Sequence, residues 1–266
     1  MAKKVRSTRG SSASTERRYR RNYLSQVIAR IDFVGIPAIG ESGPSNTITA
    51  ALKREFPVAE QKKQIFKSIS ISDKAVKEET LKETFQWFFH SVDRDKLIHI
   101  AHDACYVEYK KYKSFGTLQN DFLPIVDALF AAYPALQVSR LGLRYVDTIE
   151  LKEKEPTDWT TYLKPELLAS LRLADDPRTV TRMFHLLEFN YGDMQMRFQF
   201  GIPNPDFPAL LKRKQFTLDY DAYCTSLLSA NDIGHNLVKF HDKIRTSFEE
   251  VITDGLRAKM GVNHGK

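Results

Sequence analysis

The sequence contains little cysteine and no long apolar run. Only two of its 266 residues are cysteine, Cys105 and Cys224, and they form no CxxC pair of the kind that binds metal or performs redox chemistry. No run approaches the length of a membrane-spanning helix, and the N-terminus lacks the apolar core of a secretory signal. We therefore expect a soluble, cytoplasmic protein without a membrane partner.

Recognisable catalytic motifs are absent as well. The chain has no Walker GxxxxGK[ST] motif, no GxGxxG motif after a predicted strand and no nucleophile elbow. The common nucleotide-dependent enzymes are therefore disfavoured, and no cofactor is indicated.

The positive charge of the chain is confined to its first 22 residues. The whole chain has a net charge of +7, and residues 1–22 contain eight basic residues against the single acid Glu16. The rest of the chain is neutral. We call residues 1–22 the basic arm and expect it to be disordered, which leaves three interpretations open: a tail that contacts phosphates, a targeting segment, or a solvated tail without function. Its basic residues are Lys3, Lys4, Arg6, Arg9, Arg17, Arg18, Arg20 and Arg21.

Hydrophobic periodicity predicts an α+β fold built from two similar halves, residues 23–134 and 135–262, that form one compact unit. Each half is predicted to contain a strand, a long connection, three strands and one long helix that covers an antiparallel sheet, and a pseudo-twofold axis is expected to relate the halves. The strongest local signal is a hairpin in which apolar residues alternate with polar ones on both sides of Asn190–Asp193. The final helix is predicted from the apolar stripe Leu237, Phe240, Ile244, Phe248 and Val251.

Three segments together resemble a sporadically distributed prokaryotic family of unknown function. They are RLGLRYVDTI (140–149), TLDYDAY (217–223) and KFHDKIRTSFEEVITDGLRAKM (239–260). They match a GLRY[IV][ND]xI strand, an LDxD strand and a C-terminal FxxxITDxL helix. The resemblance runs from about Asn22 to Met260, so the basic arm lies outside it. It implies no known activity, and Asp147 stands where many members have Asn. The sporadic distribution implies carriage on mobile or defence-type loci.

The alternation of residues along three predicted strands places several charged side chains on one sheet face, which we call the polar face. Two interpretations are open for it. It is either a solvated ladder of cross-strand ion pairs, which is the favoured one, or a concave site whose arginines hold a phosphate or carboxylate. The predicted binding residues are Arg140, Arg144, Arg197, Gln195 and Gln199, and Asp219 and Asp221 are the alternative catalytic residues, able to hold Mg²⁺.

Other candidate sites are weaker. The pairs His102–Asp103 and His241–Asp242 resemble ligands of metal-dependent phosphohydrolases, but a predicted strand end and an apolar helix face do not provide the scaffold that those sites need. The tract from Tyr106 to Phe115 interleaves aromatic and basic residues as nucleic-acid binders do. Its spacing also fits the entry of a helix with tyrosines packed inward, which is the favoured interpretation.

These patterns favour a non-catalytic binding component of a prokaryotic multi-protein system. In this hypothesis the basic arm assists contact with nucleic acid or with an acidic protein partner. The alternative is a metal-dependent enzyme that acts on a phosphate-containing substrate at the polar face. A third class, an adaptor that only assembles with another protein, predicts a large apolar patch on the surface.

Overall fold

The computed structural model describes residues 18–72 and 75–263, which are organised around one large antiparallel sheet. The strands are β1 (Arg18–Tyr19), β2 (Leu24–Phe33), β3 (Val58–Ser72), β4 (Ala75–His90), β5 (Lys96–Ile100), β6 (Ala104–Tyr109), β7 (Val138–Leu151), β8 (Met183–Asn190), β9 (Gln195–Ile202), β10 (Lys214–Cys224) and β11 (Val262–Asn263). The helices are α1 (Pro37–Ser42), α2 (Asn46–Leu52), α3 (Phe115–Ala132), α4 (Ala230–Val251) and α5 (Asp254–Met260), with 3₁₀ helices at Pro165–Leu173 and Pro177–Thr179. Nine strands form the main sheet in the order β3-β4-β5-β6-β2-β7-β10-β9-β8.

The predicted arrangement of two similar halves, each with its own helix-covered sheet, is wrong. The first strands of the two predicted halves, β2 and β7, pair with each other, with Ile28 opposite Arg144 and Ile31 opposite Leu141. An unpaired strand edge leaves backbone N–H and C=O groups without partners, and this pairing satisfies one edge of each strand. All nine strands therefore form a single continuous sheet. The long helices α3 and α4 contact each other instead of covering separate sheets.

The tract from Tyr106 to Phe115 differs from the favoured prediction. Residues Ala104–Tyr109 form strand β6, and helix α3 begins only at Phe115. The side chain of Ser114 caps this helix by accepting a hydrogen bond from the backbone N–H of Thr117. Strand alternation therefore directs Tyr106 to the polar face and the buried Tyr109 to the core.

The core lies on the opposite face of the sheet, which we call the helix face. Along β7 the buried side chains Leu141, Leu143, Tyr145 and Ile149 point to this side. Helix α4 buries Leu237, Phe240 and Ile244 and contacts β7 and β10, so its predicted apolar stripe packs on the sheet. The reciprocal capping box of Ser229 and Asp232 fixes its start.

The end of the basic arm is held against the C-terminal segment. Strand β1 pairs with β11, and the backbone N–H of Arg20 donates to the carbonyl of Gly261 at 2.8 Å. The Tyr19 hydroxyl donates to the Glu249 carboxylate at 2.5 Å. The arm residues Lys3, Lys4, Arg6, Arg9 and Arg17 lie outside the described residues. None of the helices in the described ranges is long and apolar enough to cross a membrane.

Candidate functional site

The structure brings the charged residues of the predicted polar face together on β7, β9 and β10. Asp221 lies opposite Arg144 on one side and Arg197 on the other, and Asp219 lies opposite Gln199. Gln195 lies opposite Tyr223 at the end of the same sheet region. Arg140 of β7 contacts Asp221 of β10.

Each predicted arginine of the polar face has a carboxylate partner. Arg144 donates to both oxygens of Asp219, with Nε–Oδ1 at 2.8 Å and Nη2–Oδ2 at 2.6 Å. The Arg140 Nη2 lies 3.2 Å from Asp221 Oδ2, and the Arg197 Nη2 lies 2.9 Å from a Glu188 oxygen. The hydrogen bond to Asp219 raises the pKa of Arg144, whereas burial raises the pKa of Asp221 against the lowering effect of Arg140. A phosphate at this face would have to displace a carboxylate from an arginine.

An open groove of about 480 Å³ lies in the polar face where β6, β2, β7 and β10 run side by side. Three arginines and three carboxylates line it, so it has no net charge; they are Arg30, Arg140, Arg144, Asp32, Glu108 and Asp221. Gly142 lines this groove. A Cβ atom at this position would lie only 2.8 Å from Nη1 of Arg140, so a larger residue would push the guanidinium away. The missing side chain lets the Arg140 guanidinium lie over the backbone and over the Tyr223 ring, 4.9 Å from the ring centroid.

Sequence reasoning missed the half of the open groove that comes from β2 and β6. Arg30 and Asp32 belong to β2, and Tyr106 and Glu108 belong to β6. In the sequence of β2, Arg30 and Asp32 alternate with the apolar residues Ile31 and Phe33, which indicates that the two charged side chains lie on the other face of the strand. This alternation gave no indication that β2 would lie beside β7, because strand pairing is a tertiary property.

A row of three aromatic side chains continues the groove across β6, β5 and β4. His99 lies between Tyr106 and Phe88, with ring centroids 4.6 Å apart on each side; it stacks on Tyr106, whereas the Phe88 ring is tilted by 53° against it. Lys62 lies 4.6 Å from the Phe88 centroid, and Arg30 lies 6.0 Å from the Tyr106 centroid. Burial, helped by the positive charge of Arg30, lowers the pKa of His99 to about 4, so this ring is neutral at pH 7. The partly exposed rings of this row are Tyr106 and Phe88, each flanked by a cation, and the buried His99 lies between them.

The alternative magnesium site has few available ligands. In the part of the chain that the structure describes, no group of three or more His, Cys, Asp or Glu side chains could hold a metal ion. Asp219 and Asp221 are both engaged by arginines. Mg²⁺ binding by this pair would require both ion pairs to open.

A second polar cluster lies on the helix face and was missed by sequence reasoning. Asp147 is only 5% exposed and sits between Leu24 of β2 and Leu218 of β10. Neither of its carboxylate oxygens takes part in a hydrogen bond within residues 18–72 and 75–263. Burial raises the pKa of Asp147 to about 7. The available signal was strand alternation, since Asp147 follows Leu143 and Tyr145 on the apolar side of the same strand.

Asp147 lines a cavity of about 320 Å³ between the sheet and α3 and α4, which we call the Asp147 pocket. The Tyr145 hydroxyl, also in the pocket, is 2.8 Å from His241 Nδ1 and 2.9 Å from the Tyr112 hydroxyl. Phe115 stacks on His241 with the ring centroids 4.2 Å apart. His241, an unconvincing metal ligand by sequence, is thus an aromatic wall and hydrogen-bond partner in this pocket.

Tyr220 of β10 adds a second unsatisfied group on the helix face. Its buried hydroxyl has no hydrogen-bond partner among the described residues. Burial raises the pKa of Tyr220 well above its ordinary value, and the charge of Asp147 raises it further, so the two groups interact. Buried polar groups without partners are rare in folded proteins and often mark sites of ligand, ion or water binding.

An exposed apolar strip lies along β8, at one edge of the sheet. Phe184 is 63% exposed and Leu186 is 55% exposed, and Leu187 and Phe189 are also exposed. Within the described ranges β8 pairs only with β9, so its outer backbone edge has no strand partner. This strip is the kind of apolar surface that the adaptor hypothesis predicts.

Comparison with known proteins adds no relative. A scan against protein-family models found no match to this chain, and a search of the curated proteins found none either. The family resemblance of RLGLRYVDTI, TLDYDAY and the C-terminal helix therefore stays a prediction.

Proposed function

We propose that this chain is a non-catalytic binding protein that holds single-stranded nucleic acid on the open face of its sheet. The observation that carries the proposal is the row of aromatic side chains in which the half-buried rings of Phe88 and Tyr106 flank the buried His99, and which runs directly into the open groove. Flat aromatic rings on a sheet surface provide platforms for unpaired bases, whatever the base sequence.

The neutrality of the open groove fits bases better than it fits phosphates. Its three arginines are balanced by three carboxylates, and Arg30 is held by Asp32 at 2.6 Å. Base edges carry both donors and acceptors, so they can exchange hydrogen bonds with such paired groups without leaving a charge unpaired. The phosphates would be contacted by the basic arm, which supplies the excess positive charge of the chain.

Fluorescence anisotropy with a labelled 20-nucleotide single strand, as DNA and as RNA, tests this proposal on the full chain. Replacing Lys3, Lys4, Arg6, Arg9 and Arg17 together by Gln should weaken binding at least tenfold at low salt. It should also reduce the slope of log K against log salt by up to about 3.5, because each lost phosphate contact on a single strand removes about 0.7.

Tyr106→Ala tests the groove separately from the arm. Loss of one stacking platform should weaken binding by about 5-fold to 150-fold, corresponding to about 1–3 kcal/mol per base. The matched control is Tyr133→Ala, because Tyr133 is a half-buried tyrosine at the end of α3, away from the polar face. Equal affinity of the Tyr106 and Tyr133 variants would reject the groove as the base-binding surface, and failure of the full chain to bind either strand would reject the proposal.

The exposed strip on β8 favours a second role, assembly with another protein component. We propose that an extended strand of a partner protein pairs with the free edge of β8, since that edge offers backbone hydrogen bonds and its exposed Phe184 and Leu186 offer apolar contacts. Leu186→Lys should abolish co-purification of such a partner from the native host, while Leu173→Lys, at a still more exposed leucine in a 3₁₀ helix, should not. Self-association of the purified chain through β8, seen by sedimentation, would contradict a heterologous partner.

A further inference from the structure

We propose that the Asp147 pocket binds a free nucleotide whose base presents two adjacent N–H donors, of which guanine is the common biological example. This inference does not rest on the proposed function, because the pocket lies on the helix face and the open groove lies on the polar face of the sheet.

The inner wall of the pocket contains a hydrogen-bond acceptor, the carboxylate of Asp147. Asp147 is 5% exposed, lines the cavity and has no hydrogen bond to any described residue. Its lateral neighbours Leu24 and Leu218 offer only apolar side chains. Above its pKa of about 7 Asp147 is ionised and accepts hydrogen bonds through both oxygens, so its natural partner at such pH is a group that donates two parallel hydrogen bonds.

The walls of the pocket favour a flat ring. Tyr112, Phe115, Tyr145, His241 and Phe248 all line the cavity. Phe115 and His241 are stacked with their planes only 5° apart, so these walls are ordered by mutual contact as well as by hydrogen bonds. Aromatic walls of this kind pack well on planar heterocycles.

The charges at the pocket favour a neutral donor over a cationic amine. Lys113 and Arg245 line the same cavity as Asp147 and would repel a positively charged head group, whereas Glu249, the other acid of the lining, is already paired with Arg257 at 3.0 Å. Arg245 has only a long contact of 3.7 Å to Asp242, and Lys113 forms no ion pair within the described residues. These two cations suit the phosphate of a nucleotide whose base lies against Asp147.

The size of the pocket agrees with a mononucleotide. Its volume of about 320 Å³ lies at the lower end of the range for small-ligand sites, about 300–1,000 Å³. A neutral base also avoids the desolvation cost that a second charge would bring into this apolar surrounding.

Isothermal titration calorimetry of the full chain at pH 8, where Asp147 is ionised, with GMP, IMP and AMP tests the inference. GMP should bind at least tenfold more tightly than IMP, because IMP lacks the exocyclic amine and leaves one Asp147 oxygen without a donor. AMP should show no binding at millimolar concentration. Equal affinities for GMP and IMP, or no binding of GMP below 1 mM, would overturn the proposal and leave the pocket to buried water.

Two variants locate the contacts. Asp147→Asn is nearly isosteric and should reduce GMP affinity at least tenfold, whereas Asp127→Asn, at an exposed position of α3, should not change it. Lys113→Ala should weaken GMP binding but leave guanosine binding unchanged, and since Lys113 is exposed this variant keeps the test valid if the Asp147 variant folds poorly. GMP affinity that is insensitive to both Asp147→Asn and Lys113→Ala would place the nucleotide elsewhere and reject this site.

A competition experiment separates this inference from the proposed function. A 20-nucleotide strand without guanine should not displace GMP, because the two sites lie on opposite faces of the sheet. Displacement would show that GMP occupies the open groove and would contradict the assignment to the Asp147 pocket. A chain that binds the oligonucleotide but not GMP would contradict only the assignment of a nucleotide site to the Asp147 pocket.

Discussion

The two faces of strand β7 treat charge in opposite ways. On the polar face Arg140 and Arg144 are half-exposed and each has an aspartate partner from β10. On the helix face, three residues along the chain, Asp147 is buried between leucines without a hydrogen bond among the described residues. Partly exposed ion pairs change the free energy of folding little, whereas burial of a carboxylate without a hydrogen-bond partner destabilises the folded state. The ion pairs of the polar face are therefore compatible with a purely structural role, whereas the buried Asp147 destabilises the fold and calls for a functional explanation.

The largest expected effect comes from Asp147→Asn at alkaline pH. The pKa of Asp147 is raised to about 7 in the folded protein, so the folded state keeps a proton that the unfolded chain releases near pH 4. This group therefore lowers the free energy of unfolding as pH rises from about 4 to 7, by about 4 kcal/mol at pH 8. Urea denaturation should show the variant more stable than the wild type by up to that amount at pH 8 and nearly equal to it at pH 4.

Urea denaturation of Asp127→Asn serves as the control. Its free energy of unfolding relative to the wild type should change little between pH 4 and pH 8. A stability difference for Asp147→Asn that stays constant from pH 4 to 8 would mean that the carboxylate has a hydrogen-bonded or ionic partner, and the contrast between the faces would disappear.

A pair of tyrosine variants provides the next effect. Tyr145→Phe removes hydroxyl contacts to His241 and Tyr112, so it should destabilise the fold by about 1–3 kcal/mol. Tyr220→Phe removes a buried hydroxyl that has no partner among the described residues, so it should be neutral or stabilising. The free energies of unfolding of these two variants, measured in urea at pH 7, should therefore differ in sign or by at least 1 kcal/mol. Similar losses in both would show that Tyr220 has a partner, such as a buried water.

Breaking an ion pair of the polar face should have a smaller effect. Asp219→Asn weakens the two-point contact with Arg144, whose side chain is 42% exposed, and should cost about 1 kcal/mol at low salt. The cost should shrink when the melt is repeated in 0.5 M salt, because screening weakens partly exposed pairs. Asp254→Asn, at a 99% exposed side chain paired with Arg257, is the matched control and should change stability less. A salt-independent loss of several kcal/mol at Asp219 would mean that the polar face is structurally essential.

The smallest expected effect is at the exposed edge. Phe184→Ser replaces a side chain that is 63% exposed and should change the free energy of unfolding by less than about 0.5 kcal/mol. A clear loss of stability in a urea melt would show that Phe184 packs against another part of the protein or against a second copy.

Local elements were largely predictable, whereas their assembly was not. The hairpin of β8 and β9, helix α3 and the apolar stripe of α4 follow from spacing, because side-chain periodicity is a local property of the backbone. Strand β6 was misread as the entry of α3, since Tyr106 and Tyr109 suit either an inward helix face or an alternating strand. The single sheet was missed because nothing in β2 or β7 alone specifies that they pair with each other.

The candidate sites divide in the same way. Alternation along three strands assigned Arg140, Arg144, Arg197, Asp219 and Asp221 to one face, and the structure places them there. The aromatic row needed the registers of β4, β5 and β6, and the Asp147 pocket needed the positions of α3 and α4. A sequence shows that an acid falls on an apolar side of a strand, but only packing shows whether a partner reaches it.

The sequence by itself determined the charge partition and the alternation of each strand. The excess charge of the basic arm and the neutrality of the remaining chain are properties of composition, and each strand's inward and outward residues follow from the two-residue repeat of the extended backbone. The tertiary structure alone decided that one sheet forms, that Arg144 meets Asp219 and that Asp147 meets no partner. These outcomes depend on contacts between residues far apart in the chain, and such contacts exist only once the strands have paired and the helices have packed.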